Sequence, residues 1–208
     1  MYDVWQAPDV ITAFGTFLAG SAACMGVVVA AIGLNTWKKQ LKWQADRELA
    51  KSAFVGLKKR HDAVLHVRDP FGWSSETEID TEDLFEGDIP FKKVEHKYQS
   101  RWNVLQEAKR DFYPIELEGD ALWGSEFVDL CRELRRLEGE LLLGIQDYVE
   151  SHDPRYASQG FFSTRDEARE NRALIHGFGK RDEFGPRYEK AVERIERFLR
   201  KKLEQDQS

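Results

Sequence analysis

The sequence predicts an all-α protein, with an N-terminal transmembrane helix that continues into a cytoplasmic antiparallel helical bundle. Three observations predict this. No formally charged residue occurs in the 28 positions from Val10 to Trp37, although 33% of the chain is charged. Beyond Trp37, four long segments each carry a single apolar stripe at helical spacing. No window alternates apolar and polar residues with the period of two that marks a half-buried strand. At 208 residues the chain is long enough for one domain and an anchor. It divides as a short extracytoplasmic segment 1–9, a membrane helix 10–36 and a cytoplasmic bundle 37–208 containing an acidic loop 69–90.

The apolar heart of the first segment, Val10 to Leu34, is 25 residues long. As a helix it measures about 38 Å, against a hydrocarbon core of about 30 Å. A cleaved signal peptide needs a basic start, and residues 1–9 contain neither Lys nor Arg. Ser21-Ala22-Ala23-Cys24 lacks the Leu three positions before the Cys that a lipoprotein site carries, and apolar sequence continues past it. Lys38, Lys39, Lys42 and Arg47 follow the span, so the positive-inside rule places the N-terminus outside and the C-terminus inside a bacterial inner membrane. Lys38, Lys39 and Lys42 then face anionic lipid. Trp37 and Trp43 form one interfacial aromatic belt, and Tyr2 and Trp5 the other. Small residues recur along the span at Gly15, Ala19, Ala22, Gly26 and Ala30, a stripe that lets helices approach closely and predicts self-association or pairing with another helix.

From Trp37 the helical pattern runs on through Leu41, Leu49, Ala53, Leu57 and Val64 to about Arg68, where Asp69-Pro70 stops it. Asp69 to Pro90 then holds eight acids and no base, and reads as a solvated loop or one lying against the basic first helix rather than as a cation site. A second helix begins near Pro90 and is expected to end before Pro114. A third is expected from near Asp120 to about Glu150. A short one is capped by Thr164-x-x-Glu167 and stopped by Gly177, and the last spans about 182–203. The connection from Asp153 to Phe162 is long enough to cross the bundle.

Chemical motifs are sparse. His61 and His66 are five apart, not the four that put two ligands on one helix face, and Glu95-His96 lacks the spacing of bundle di-iron sites. Gly177-Phe178-Gly179-Lys180 is a weak phosphate-loop candidate that reads better as a helix cap and turn. Cys131 lies within an amphipathic helix and reads as a small buried thiol. Cys24 and Cys131 make no disulfide framework, and a formal charge of −6 disfavours nucleic acid as a partner. No catalytic, metal-binding or cofactor-binding residue is assigned, and no cofactor is implied.

The runs Trp37-Lys-Lys-Gln-Leu41, Asp46-Arg-Glu-Leu-Ala50, His61 to Pro70, Ala121-Leu-Trp-Gly124 and Asp182 to Leu199 resemble a family of uncharacterised bacterial proteins. Its members have one N-terminal membrane helix and a helical cytoplasmic domain. The resemblance implies an inner-membrane location and supplies no activity. Together these readings point to a non-enzymatic adaptor or scaffold at the cytoplasmic face that binds a protein partner or its own copies, with the lipid bilayer as a further contact. The alternatives are a membrane-disrupting toxin or defence effector whose span oligomerises, and a membrane-tethered enzyme with a site between bundle helices.

Overall fold

The structure, a computed structural model, describes residues 7–71, 76, 78–82, 84–156, 160–177 and 181–204. Of residues 7–11, 13–14, 19, 22–24, 28–29 and 31 only the backbone is described. Among these residues there are five α-helices, one 3-10 turn and no strand: α1 (Ala7–Arg68), α2 (Ile89–Trp123), α3 (Ser125–Glu150), the 3-10 turn Pro154–Tyr156, α4 (Arg165–His176) and α5 (Phe184–Glu204). The all-α expectation holds. The chain forms two compact units, residues 1–46 and 47–208.

In the first unit, the membrane-spanning expectation for 10–36 is corrected. Among the described residues no helix is long and apolar enough to cross a membrane. The residues described there with side chains include Thr12, Thr16, Ser21, Asn35 and Thr36, which are polar, and Gly15, Gly20, Gly26 and Gly33, which add little apolar area. Among the described side chains these residues stand between the apolar ones, and a bilayer demands roughly 20 predominantly apolar residues in succession. The inner-membrane placement with the N-terminus outside rested on that span and is overturned with it. The hydroxyls of Thr16, Ser21 and Thr36 return to the carbonyls of Thr12, Phe17 and Ile32 at 2.8, 2.8 and 3.0 Å, each bond closing within its own helix.

In the second unit, α3 is the central element, packed against α2, α4 and α5. Ring and ion-pair contacts fix the directions. Tyr98 meets Tyr148, Arg135 meets Glu116 and Trp123 meets Phe127, so α2 and α3 run antiparallel. Glu140 meets Arg187 while Phe127 meets Phe198, so α3 and α5 do too. Lys58 pairs with Glu196 and His61 with Glu189, which sets the 47–68 part of α1 antiparallel to α5. The core between them holds Leu57, Leu105, Phe112, Phe127, Leu134, Leu141, Tyr188, Ile195 and Leu199, all buried.

Two helix boundaries differ from the expected ones. Pro114 does not end α2, which continues to Trp123. Proline removes one helical donor, but Pro114 is exposed, where water can satisfy the freed carbonyl, and Phe112, Glu116 and Gly119 on the opposite side stay buried. Gly119 permits this packing: a Cβ there would sit 2.5 Å from the Phe127 ring. The break falls instead at Gly124, whose φ of +76° is costly for any other residue, and α3 starts at Ser125 rather than near Asp120.

The remaining boundaries follow the sequence signals. Thr164 accepts from the Glu167 N–H while the Glu167 carboxylate accepts from the Thr164 N–H, and Gly177 ends α4 in the left-handed region at φ +63°. The α3 C-terminus, α4 and the α5 N-terminus sit at the same end, where Asn171 Nδ2 donates to the Gly144 carbonyl at 2.9 Å.

Candidate functional site: a buried ionic centre in the bundle

Each bundle helix carries an apolar stripe; on three of them, α1, α2 and α3, charges fall within it, and those of α1 and α3 pair at the centre of the bundle. On α1, Arg60 lies three residues after Leu57 and four before Val64. On α3, Glu138 lies four residues after Leu134 and three before Leu141. Helical spacing therefore drives both charges into the core, and the bundle brings them together. Arg60 Nε donates to Glu138 Oε1 at 2.5 Å and Nη2 to Oε2 at 2.8 Å, a bidentate pair whose side chains are 2% and 0% exposed.

Lys109 of α2 stands 3.3 Å from Glu138 Oε2, and the Tyr188 hydroxyl of α5 donates to Oε1 at 3.4 Å. Four helices thus meet on one carboxylate. Burial is the largest influence on Arg60 and works against its charge, but the hydrogen bonds and charge of Glu138 outweigh it and its pKa is raised. Burial, with the Glu138 charge beside it, pushes the Tyr188 phenol well above its ordinary value. The centre is a fixed arrangement of opposed charges, with guanidinium and phenol both held in their protonated forms.

Two further buried arginines organise the end of the bundle where α4 lies. Arg68 Nε donates to the Leu174 carbonyl at 2.8 Å, and its Nη2 donates to Ala173 O at 3.2 Å and to Asp182 Oδ1 at 2.7 Å. Its guanidinium stands 4.8 Å from the centre of the Phe184 ring. It therefore supplies donors to the last carbonyls of α4, where a helix end lacks partners. Arg101 of α2, fully buried, donates to the carbonyls of Asp69 and Phe71 and, from Nε and Nη2, to Glu76 Oε2 at 3.1 and 2.8 Å. Glu76 also stands 3.4 Å from His66. This acidic-loop carboxylate therefore meets a basic partner on α2 as well as one on α1.

The sequence-derived candidates are dispersed. A Cβ added at Gly15 or Gly26 of the small-residue stripe would meet no heavy atom within 4 Å, Ala30 is exposed, and the side chains of Ala19 and Ala22 lie outside the described residues. Trp37, Lys38, Lys39 and Lys42 are exposed on α1; the lipid-facing role depends on the span and falls with it. His61 engages Glu189 at 2.8 Å and stacks on Tyr188, while His66 meets Glu76, so the two serve different contacts. No group of three His, Cys, Asp or Glu residues gathers as a metal site among the described residues. Cys131 is fully buried, and burial first, then the Glu116 charge, raises its thiol to about 12. A thiol so held is a poor nucleophile at neutral pH. Gly177 caps α4 through its N–H to Ala173 O at 3.0 Å, and residues 178–180 lie outside the described residues.

Sequence reading missed Arg60, Glu138, Arg68 and Arg101. The available signal was a charge at a stripe position, since Glu138 falls in register with Leu134, Leu137 and Leu141. Neither partner in such a pair is identifiable until the helices pack. No protein-family model, curated protein or solved structure matches this chain.

Proposed function

We propose that the chain works by protein–protein binding, as a non-enzymatic adaptor or scaffold that pairs with a second copy of itself or another protein through the uncharged part of α1. One observation carries this reading. Phe17, Leu18, Met25, Val27, Ile32 and Leu34, described with their side chains, are all more than half exposed on a helix whose Gly15, Gly20, Gly26 and Gly33 have open space around them. Covering apolar side chains is favourable by about 25 cal/mol per Å². Large exposed apolar side chains gathered on one helix offer surface for a partner to cover, and glycines let helix axes close to the short end of the usual 8–10 Å. The bundle 47–208 is held by its own core and by inward-facing ion pairs.

Native mass spectrometry of the full-length chain in mild detergent tests the proposal. The expected result is a homo-oligomer or a stoichiometric second protein, and replacing Gly26 with Ile should reduce either. A bare monomer at tens of micromolar, with no second chain, overturns it.

A further inference from the structure

Above the buried ionic centre the bundle surface opens into a cleft of about 350 Å³ between α1, α2 and α3, within the usual size range of small-molecule sites. Its charge is unbalanced. Arg60, Lys109, Arg110 and Arg135 line it, against Glu116 on the wall and Glu138 beneath, so four cations face two carboxylates. Arg60 spends Nε and Nη2 on Glu138 and still borders the cleft, with Nη1 uncommitted among the described residues. Arg135 uses Nη1 on Glu116 and keeps its other donors. Arg110 is exposed and forms no ion pair among the described residues.

We propose that this cleft binds a small phosphate-bearing anion. The surplus of two positive charges matches the charge of −1.5 to −2 that a phosphate monoester carries at neutral pH. Guanidinium forks present paired donors at the spacing of phosphate oxygens. A buried arginine already fixed by a carboxylate offers its remaining donors without further ordering of the side chain, which lowers the entropy cost of binding. The site uses α1 only at Arg60, outside the uncharged part of that helix through which the chain is proposed to pair.

Isothermal titration of the full chain with inorganic phosphate at pH 7.5 and low ionic strength tests it. One saturable site is expected. Exchanging Arg110→Gln together with Lys109→Gln should weaken it threefold or more, while Arg187→Gln, on α5 in another cleft, leaves it unchanged. Both positions are at least partly solvent-exposed, and thermal unfolding of each variant confirms that it folds. Absence of saturable heat overturns the proposal. So does binding that the double variant weakens less than threefold or that Arg187→Gln weakens equally, which is an adventitious ion only.

Discussion

Removing Glu138 isolates one half of the ionic centre and makes a quantitative demand on the bundle. In Glu138→Leu the Arg60 guanidinium, 2% exposed, loses both of its hydrogen-bond acceptors and the opposite charge. Two unit charges about 4 Å apart at an effective dielectric of 20 attract by about 4 kcal/mol, and breaking one partner of a buried pair costs about 3–5 kcal/mol. Lys109 also loses its partner but is 25% exposed and can turn to water, and the Tyr188 hydroxyl gives up a long contact.

The single variant should therefore lose about 3–5 kcal/mol, a large part of the about 5–15 kcal/mol that a domain has. Arg60→Met with Glu138→Leu removes both charges and fills the space with apolar atoms, so it should recover most of that loss or exceed the parent. Urea unfolding followed by circular dichroism, with the four corners of the double-mutant cycle, reads these values. A single-variant loss below about 1 kcal/mol, or a double variant as unstable as the sum of the singles, would refute the argument that the pair is held by mutual need.

Other outcomes follow from the packing and titration. Gly119→Ala should destabilise by about 1–3 kcal/mol because its Cβ meets the rigid Phe127 ring at 2.5 and 2.6 Å. Gly139→Ala, with open space at an exposed position of α3, should stabilise by about 0.5–1 kcal/mol; equal effects in chemical unfolding would contradict the close approach of α2 and α3. In a Cys24→Ser background, Cys131 should resist thiol reagents in the native state at pH 8 and react on unfolding; rapid native labelling would contradict its burial and raised pKa.

The pH dependence has a definite sign. Burial first, then the charges of Lys97, Arg172, Arg101 and Arg68, hold His176 below its ordinary 6.5. The unfolded chain then binds more protons than the folded one as pH falls through 6.5 toward the depressed value, so stability is lost on that side. His176→Gln should flatten the fall in urea midpoint between pH 7.5 and 5, and parallel profiles would refute the assignment.

The sequence alone determined the helical character of the chain, most of the helix ends and the membership of the core. These depend on local signals: the stripe Leu134, Leu137, Leu141 and Ile145, the Thr164–Glu167 capping box, and glycine at 177 where φ is positive. Gly124 and Pro114 show where local signals compete. Proline is tolerated on the exposed side of a helix whose other face is buried, and only the packing of α2 on α3 reveals which face that is. The ionic centre could not be read in advance, because Arg60 and Glu138 are 78 residues apart and neither identifies its partner until four helices converge on one carboxylate. An uncharged run was legible at Val10 to Trp37, and among the described residues no helix is long and apolar enough to cross a membrane. Tertiary structure decided the rest for one physical reason: a charge is placed in a core by the periodicity of its own helix, but it is stabilised there only by groups from other helices.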